Sequence, residues 1–139
     1  NTGTSNVGCP VIYNSSSFSH SGSNSLYFYS VSPSGGSDQY AIMPPISTTA
    51  HPMNTMTMSF WMRVRQGLGT TTYSLQVGVM SNPSDITSFV PVQSFSITSQ
   101  TYAVYEVDFS SYSGTGNYIA FKMATTNSSM AMGLHIDDI

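Results

Sequence analysis

The chain has 139 residues, 40% of them hydrophobic, which is enough for one domain with a real core. Only 6% are charged, and the net charge is −3 with three Lys plus Arg. That is far below the roughly 25% of an average soluble domain, and three cations cannot match a run of phosphates, which argues against nucleic-acid binding.

No ten-residue stretch shows a 3.6-residue apolar period with caps, so helix signals are nearly absent. Short alternating or apolar runs alternate with turn clusters instead. Cys9 is the single cysteine, which rules out an internal disulfide. It precedes Pro10, so its backbone is expected to be extended, and a buried inert thiol is the expected state. Asn14 to Asn24 is rich in serine but flanked by Phe18 and Leu26, and reads as an ordered surface loop. Ser25 to Ser30 is the first predicted strand, with Leu26 and Phe28 inward and Tyr27 and Tyr29 outward. A turn at Ser32 to Gly36 separates it from a second strand, Gln39 to Met43, which Pro44 and Pro45 end.

Thr55 to Arg65 is the third predicted strand and the most informative stretch. Met56, Met58, Phe60, Met62 and Val64 share one face, which is a core face. Thr57, Ser59, Trp61, Arg63 and Arg65 share the other, which holds the only Trp and two of the three basic residues. A broad ring beside hydrogen-bond donors on a rigid strand suits flat polar ligands such as sugars. A second layer or crossing loop over Trp61 is the competing expectation, since tryptophan is usually mostly buried.

After a turn at Gln66 to Gly69, Thr72 to Met80 is predicted as the fourth strand, with Tyr73, Leu75, Val77 and Val79 inward and Ser74, Gln76 and Gly78 outward. Asn82 to Asp85 makes the next turn. Ser88 to Val92 contains Pro91, which marks an edge or a bend. Ala103 to Phe109, Tyr118 to Ala124 and Met130 to Ile139 complete the set. Strands at this spacing, with turn-rich links, indicate an all-β sandwich of two antiparallel sheets.

Chemistry-bearing motifs are few. Glu106 and Asp108 lie two apart on one strand and share a face, about 6–7 Å apart, a spacing that could suit glycoside hydrolysis. One jelly-roll glycosidase family uses Glu-x-Asp-x-x-Glu on a strand; here Ser111 stands where the second Glu would be, so the acid/base partner is missing. His20, His51 and His135 form no paired motif with Cys9, which argues against zinc and against a catalytic cysteine. Ser-His-Asp order and a Gly-rich phosphate loop are also lacking. Two Asn-x-Ser sequons occur, at Asn14 and Asn127. No apolar stretch approaches the roughly 20 residues of a spanning helix.

Six segments together carry a resemblance. They are Ser21 to Phe28, Met58 to Trp61, Leu75 to Val79, Asp85 to Val90, Gly116 to Phe121 and His135 to Ile139. In order and spacing, from Ser21 to the C-terminus, the chain resembles the jelly-roll modules of bacterial surface and secreted proteins, the group that includes cleaved-adhesin and MAM-like domains. The resemblance implies a jelly-roll β-sandwich, similar in fold to carbohydrate-binding modules, non-catalytic and carried in multidomain surface proteins. Residues 1–139 are then a single domain, excised from a longer extracellular protein, with its first strand missing or incomplete. The implied partner is a glycan or other cell-surface ligand, held by Trp61 and Arg63. Gln76 and His135 have the parity to join them, provided that their strands lie in the same sheet. An adhesion or spacer module that binds no glycan is the alternative. Asp137 and Asp138 sit where related jelly rolls often bring a terminal-strand carboxylate to a structural calcium, which makes Asp137 the expected metal ligand.

Overall fold

Alternation of apolar and polar residues along short runs leaves each strand one face to bury, and two sheets burying those faces against each other is the simplest solution. The computed structural model describes residues 10–30, 38–65, 73–124 and 132–139. Among them are nine strands: β1 (Val11–Asn14), β2 (Asn24–Ser30), β3 (Gln39–Ile42), β4 (Thr57–Val64), β5 (Tyr73–Met80), β6 (Phe89–Ile97), β7 (Ala103–Asp108), β8 (Tyr118–Met123) and β9 (Met132–Asp137). Helical structure among these residues is confined to two single 3-10 turns, Met53–Thr55 and Ile86–Ser88.

One sheet has five strands in the order β1-β2-β9-β4-β7, and the other has four in the order β3-β8-β5-β6. All pairings are antiparallel. From β2 onward the chain crosses between the sheets at every step except the β5–β6 hairpin, which is the eight-stranded jelly roll. β9, the last of the described strands, lies in the middle of its sheet between β2 and β4.

The inward residues expected from alternation are buried: Phe28, Phe60, Met62, Leu75, Val77, Val107, Ile119, Phe121 and Ile136 all lie in one core cluster. Edge-to-face ring contacts knit the two sheets at its centre, where Phe60 meets Phe121 at 5.2 Å and Phe95 at 5.8 Å.

Three local expectations change. β1 was not foreseen as a strand; Val11–Asn14 is an edge strand paired with β2. β6 runs on to Ile97 instead of stopping at Val92, and Pro91 lies just beyond the point where the register slips opposite Val77 and Gly78. A bulge at an edge strand is where a missing N–H is tolerated. Tyr27 points outward as expected yet is buried, because other rings cover it. The expectations for Cys9, for the sequon at Asn127, for the turns at 32–36 and 66–69, and for the starts of the fourth and last strands at 72 and 130 fall outside the described residues.

Candidate functional site

β4 carries Trp61 and Arg63 on the outer face of the five-stranded sheet, with Arg65 just past its end. β9 brings His135 and Asp137 to the same face, because Trp61 pairs with Asp137 and Arg63 with His135. β2 adds Tyr27, which pairs with His135 from the other side. One row across the sheet therefore reads Tyr27, His135, Arg63.

The loop from Ser15 to Ser23 lies over this row. Its ends are held by a backbone hydrogen bond of 2.7 Å from Ser15 N–H to the Ser23 carbonyl, and Gly22 supplies a positive φ of 59°. Asp137 Oδ2 accepts the backbone N–H groups of His20 (2.7 Å) and Ser21 (3.3 Å). Asp138 Oδ2 accepts from His20 Nδ1 at 2.7 Å, and its other oxygen accepts from Ser21 Oγ. The His20 ring then stacks on Trp61, centroids 3.8 Å apart and planes within 11°. Phe18, from the same loop, stacks at 5.3 Å on His135, whose ring also stacks on Tyr27 at 4.4 Å. Tyr102 Oη donates to the Phe18 carbonyl at 2.7 Å. The chain's own loop thus occupies one face of the Trp61 ring.

Burial dominates the electrostatics here. His135 is fully buried, and its pKa is lowered to about 4 by desolvation, with the neighbouring Arg63 and Arg65 charges acting in the same direction. It is therefore neutral near pH 7. Burial, with Asp137 nearby, pushes the Tyr102 hydroxyl up to about 12. The His20 and Ser21 donors hold the Asp138 carboxyl below its ordinary value.

Asp137 was the expected calcium ligand. Its Oδ2 faces two loop N–H groups, and its Oδ1 accepts the Asp138 N–H at 2.9 Å. A calcium site needs six to eight oxygens. Among the described residues no group of three or more His, Cys, Asp or Glu is placed to hold a metal. The Asp137 carboxylate, accepting three N–H groups, clamps the loop to the end of β9.

Gln76 does not join the other three. β5 belongs to the four-stranded sheet, so Gln76 lies on the opposite outer face of the sandwich. That face has its own group. Tyr40, Lys122 and Gln76 form one row across β3, β8 and β5. Tyr40 meets Phe89 edge to face at 5.6 Å, and Lys122 Nζ lies 5.7 Å from the centre of Tyr40 and 5.9 Å from that of Phe89. Lys122 also pairs with Asp38 at 2.8 Å, and Gln76 Nε2 donates to Ser94 Oγ at 3.4 Å. Gly78 makes room for this arrangement, since a Cβ there would lie 2.7 Å from the Phe89 ring and 2.3 Å from the Val90 carbonyl oxygen. Ser94 and Ser96 are exposed beside the row, and Tyr40, Gln76, Phe89 and Lys122 are half-buried.

Sequence reasoning missed Phe18 and His20, which come from a loop, and Tyr40, Phe89 and Lys122, which face outward from predicted strands. One signal was available: a glycine inside an apolar strand, Gly78, marks a place where another group comes close.

Glu106 and Asp108 face outward on the edge strand β7, opposite Ser59 and Thr57. Asp108 Oδ1 accepts the Ser110 N–H at 2.8 Å, a local turn contact. No helix among the described residues is long and apolar enough to cross a membrane.

No family model and no curated protein matches the chain. Solved structures do. The K2 cleaved adhesin domain of Lys-gingipain superposes with a TM-score of 0.62 at 14% identity, covering 86% of this chain and 72% of that one. The K1 cleaved adhesin domain of Lys-gingipain from Porphyromonas gingivalis W83 gives 0.62 at 18%, covering 94% and 84%. A family 16 carbohydrate-binding module gives 0.52 at 12%, covering 94% and 84%. At these identities the likeness is one of fold, and the jelly roll expected from the sequence is the fold these domains share with the chain.

Proposed function

We propose that this chain is a non-catalytic binding module of a secreted or cell-surface protein, and that it takes a neutral glycan on the outer face of its four-stranded sheet. One observation carries the reading. Tyr40 and Phe89 lie beside Gln76, Lys122, Ser94 and Ser96 on a single rigid face. Rings supply apolar area for the C–H faces of a sugar, and the amide, ammonium and hydroxyls supply donors and acceptors for its hydroxyls. Trp61 is the weaker platform because His20 already lies against its ring. The charge-poor surface, rich in Ser and Thr, supports the extracellular setting. Solved neighbours described as cleaved adhesin domains and a carbohydrate-binding module support a binding role.

Binding on an open face is expected to be weak, since little ligand surface is buried. A glycan array followed by calorimetry tests it. Tyr40→Ala and Gln76→Ala should each abolish binding seen with the parent chain, while Trp61→Ala leaves it intact. Binding lost only with Trp61→Ala would return the site to the five-stranded face. The second reading, a protein-adhesion or spacer module, draws support from the covered Trp61. It prevails if the parent chain binds no glycan.

A further inference from the structure

We infer that Arg63 and Arg65 together form a receptor for one oxyanion, the carboxylate or sulfate of an acidic sugar, on the outer face of the five-stranded sheet. This site uses residues on the opposite side of the sandwich from the neutral-glycan face and does not depend on it.

The first argument is charge. The chain has three basic residues in all. Lys122 is paired with Asp38. Arg63 and Arg65 have the same strand parity and flank one ring: the Phe18 centroid lies 5.1 Å from the Arg63 guanidinium carbon and 5.2 Å from that of Arg65. Neither makes an ion pair among the described residues. Two like charges against one apolar ring repel each other, and a bound anion relieves both.

Geometry gives the second argument. Arg63 also lies 5.3 Å from the Tyr102 ring, and Arg65 lies 5.5 Å from that of Tyr27 and 5.8 Å from that of Tyr13. Ring contact cushions a guanidinium but accepts none of its in-plane N–H bonds. Arg65 gives one of these to Tyr27 Oη at 2.8 Å. Arg63 donates none to a described side chain, and its Nε is buried with no partner.

The third argument is His135. It is fully buried, it pairs with Arg63 across the β4–β9 ladder, and its Nε2 has no hydrogen-bond partner. Its Nδ1 is joined to Ser25 Oγ at 2.9 Å. In the tautomer in which Ser25 donates, Nε2 carries the ring proton. His135 Nε2–H and Arg63 Nε–H are then two buried donors without an acceptor, and an oxyanion is pure acceptor. Gly133 lets the Tyr27 and Arg65 side chains close over β9, since a Cβ there would lie 3.0 Å from Tyr27 Oη and 3.1 Å from Arg65 Cβ. Asp137, two residues along β9 from His135 and opposite Trp61, and Asp138 beside it have their oxygens turned to the loop N–H groups and His20.

The test uses millimolar sodium sulfate and sodium glucuronate as probes, with sodium chloride at matched ionic strength and glucose as controls. The readouts are the melting midpoint and Trp61 fluorescence. Sulfate or glucuronate should raise the midpoint by a few degrees where chloride and glucose do not. Response to sulfate alone, or to glucuronate alone, tells the two sources of oxyanion apart. Arg65→Gln, just past the end of β4, should remove the response without unfolding the chain, and Arg63→Gln should do so as well. Thr57→Ala, exposed at the other end of β4, should keep it. A parent chain that answers to sulfate and glucuronate no more than to chloride overturns the proposal. So does an undiminished response in a folded Arg65→Gln variant.

Discussion

At the scale of single residues, burial decides which substitutions matter. Phe60 is fully buried in mid-strand and touches two rings of the opposite sheet. Phe60→Ala should cost roughly 3–5 kcal/mol in urea unfolding. Thr57→Ala, on the exposed side of the same strand, should cost well under 1 kcal/mol. Equal shifts in the two midpoints would mean that the strand's faces are reversed. His135 makes stability depend on pH. Its folded pKa, about 4, lies below the ordinary 6.5, so the unfolded chain takes up a proton that the folded chain refuses. Stability from this group is complete above pH 6.5, falls as pH drops toward 4, and is level below that. At 1.36 kcal/mol per pH unit the loss is at most about 3 kcal/mol. Asp138 acts in a different window: its folded pKa is lowered, so its contribution disappears only as pH falls below 3.8. Urea midpoints at pH 7.5 and 4.5 should differ in the parent and converge in His135→Gln; a parent midpoint that does not move would refute the account.

At the scale of elements, the 15–23 loop is tied down by the end of β9. Asp138 has a positive φ of 46°, and at that turn both terminal carboxylates meet the loop. Replacing both with Ala should free His20 from Trp61 and shift tryptophan emission to the red, with the β-sheet circular dichroism unchanged. Unaltered emission would show that ring packing alone seats the loop. The same elements show what could be read beforehand. Strand existence and parity were legible because a two-residue period marks which side chains are apolar, as from Tyr73 to Val79. Partnership was not. Nothing in the pattern around Gln76 says that its strand pairs with β6 and β8, while that of His135 pairs with β2 and β4. Alternation is local, and sheet order is set by packing between strands distant in sequence. For the same reason Trp61, Arg63 and His135 came together as their shared parity suggested, whereas the loop over Trp61 depended on hydrogen bonds from His20 and Ser21 to carboxylates more than a hundred positions away.

At the scale of the whole molecule, closure is long-range. Ser25 and His135, joined by a hydrogen bond, are 110 positions apart. Such topologies fold slowly, over milliseconds to seconds, and stopped-flow refolding in the microsecond range would contradict the assignment. A chain ending at residue 131 should lose cooperative unfolding, because both β2 and β4 would lack their shared neighbour. Intact cooperative melting of that truncation would contradict the central place of β9. This central place has a further consequence during synthesis. A ribosome delivers strands in chain order, but the larger sheet needs its final strand before β2 and β4 have a common partner. Until β9 has been made, two bare strand edges stand open side by side. Translation that pauses before β9 leaves a chain that invites pairing with others of its kind, and β9 protects the molecule from aggregation.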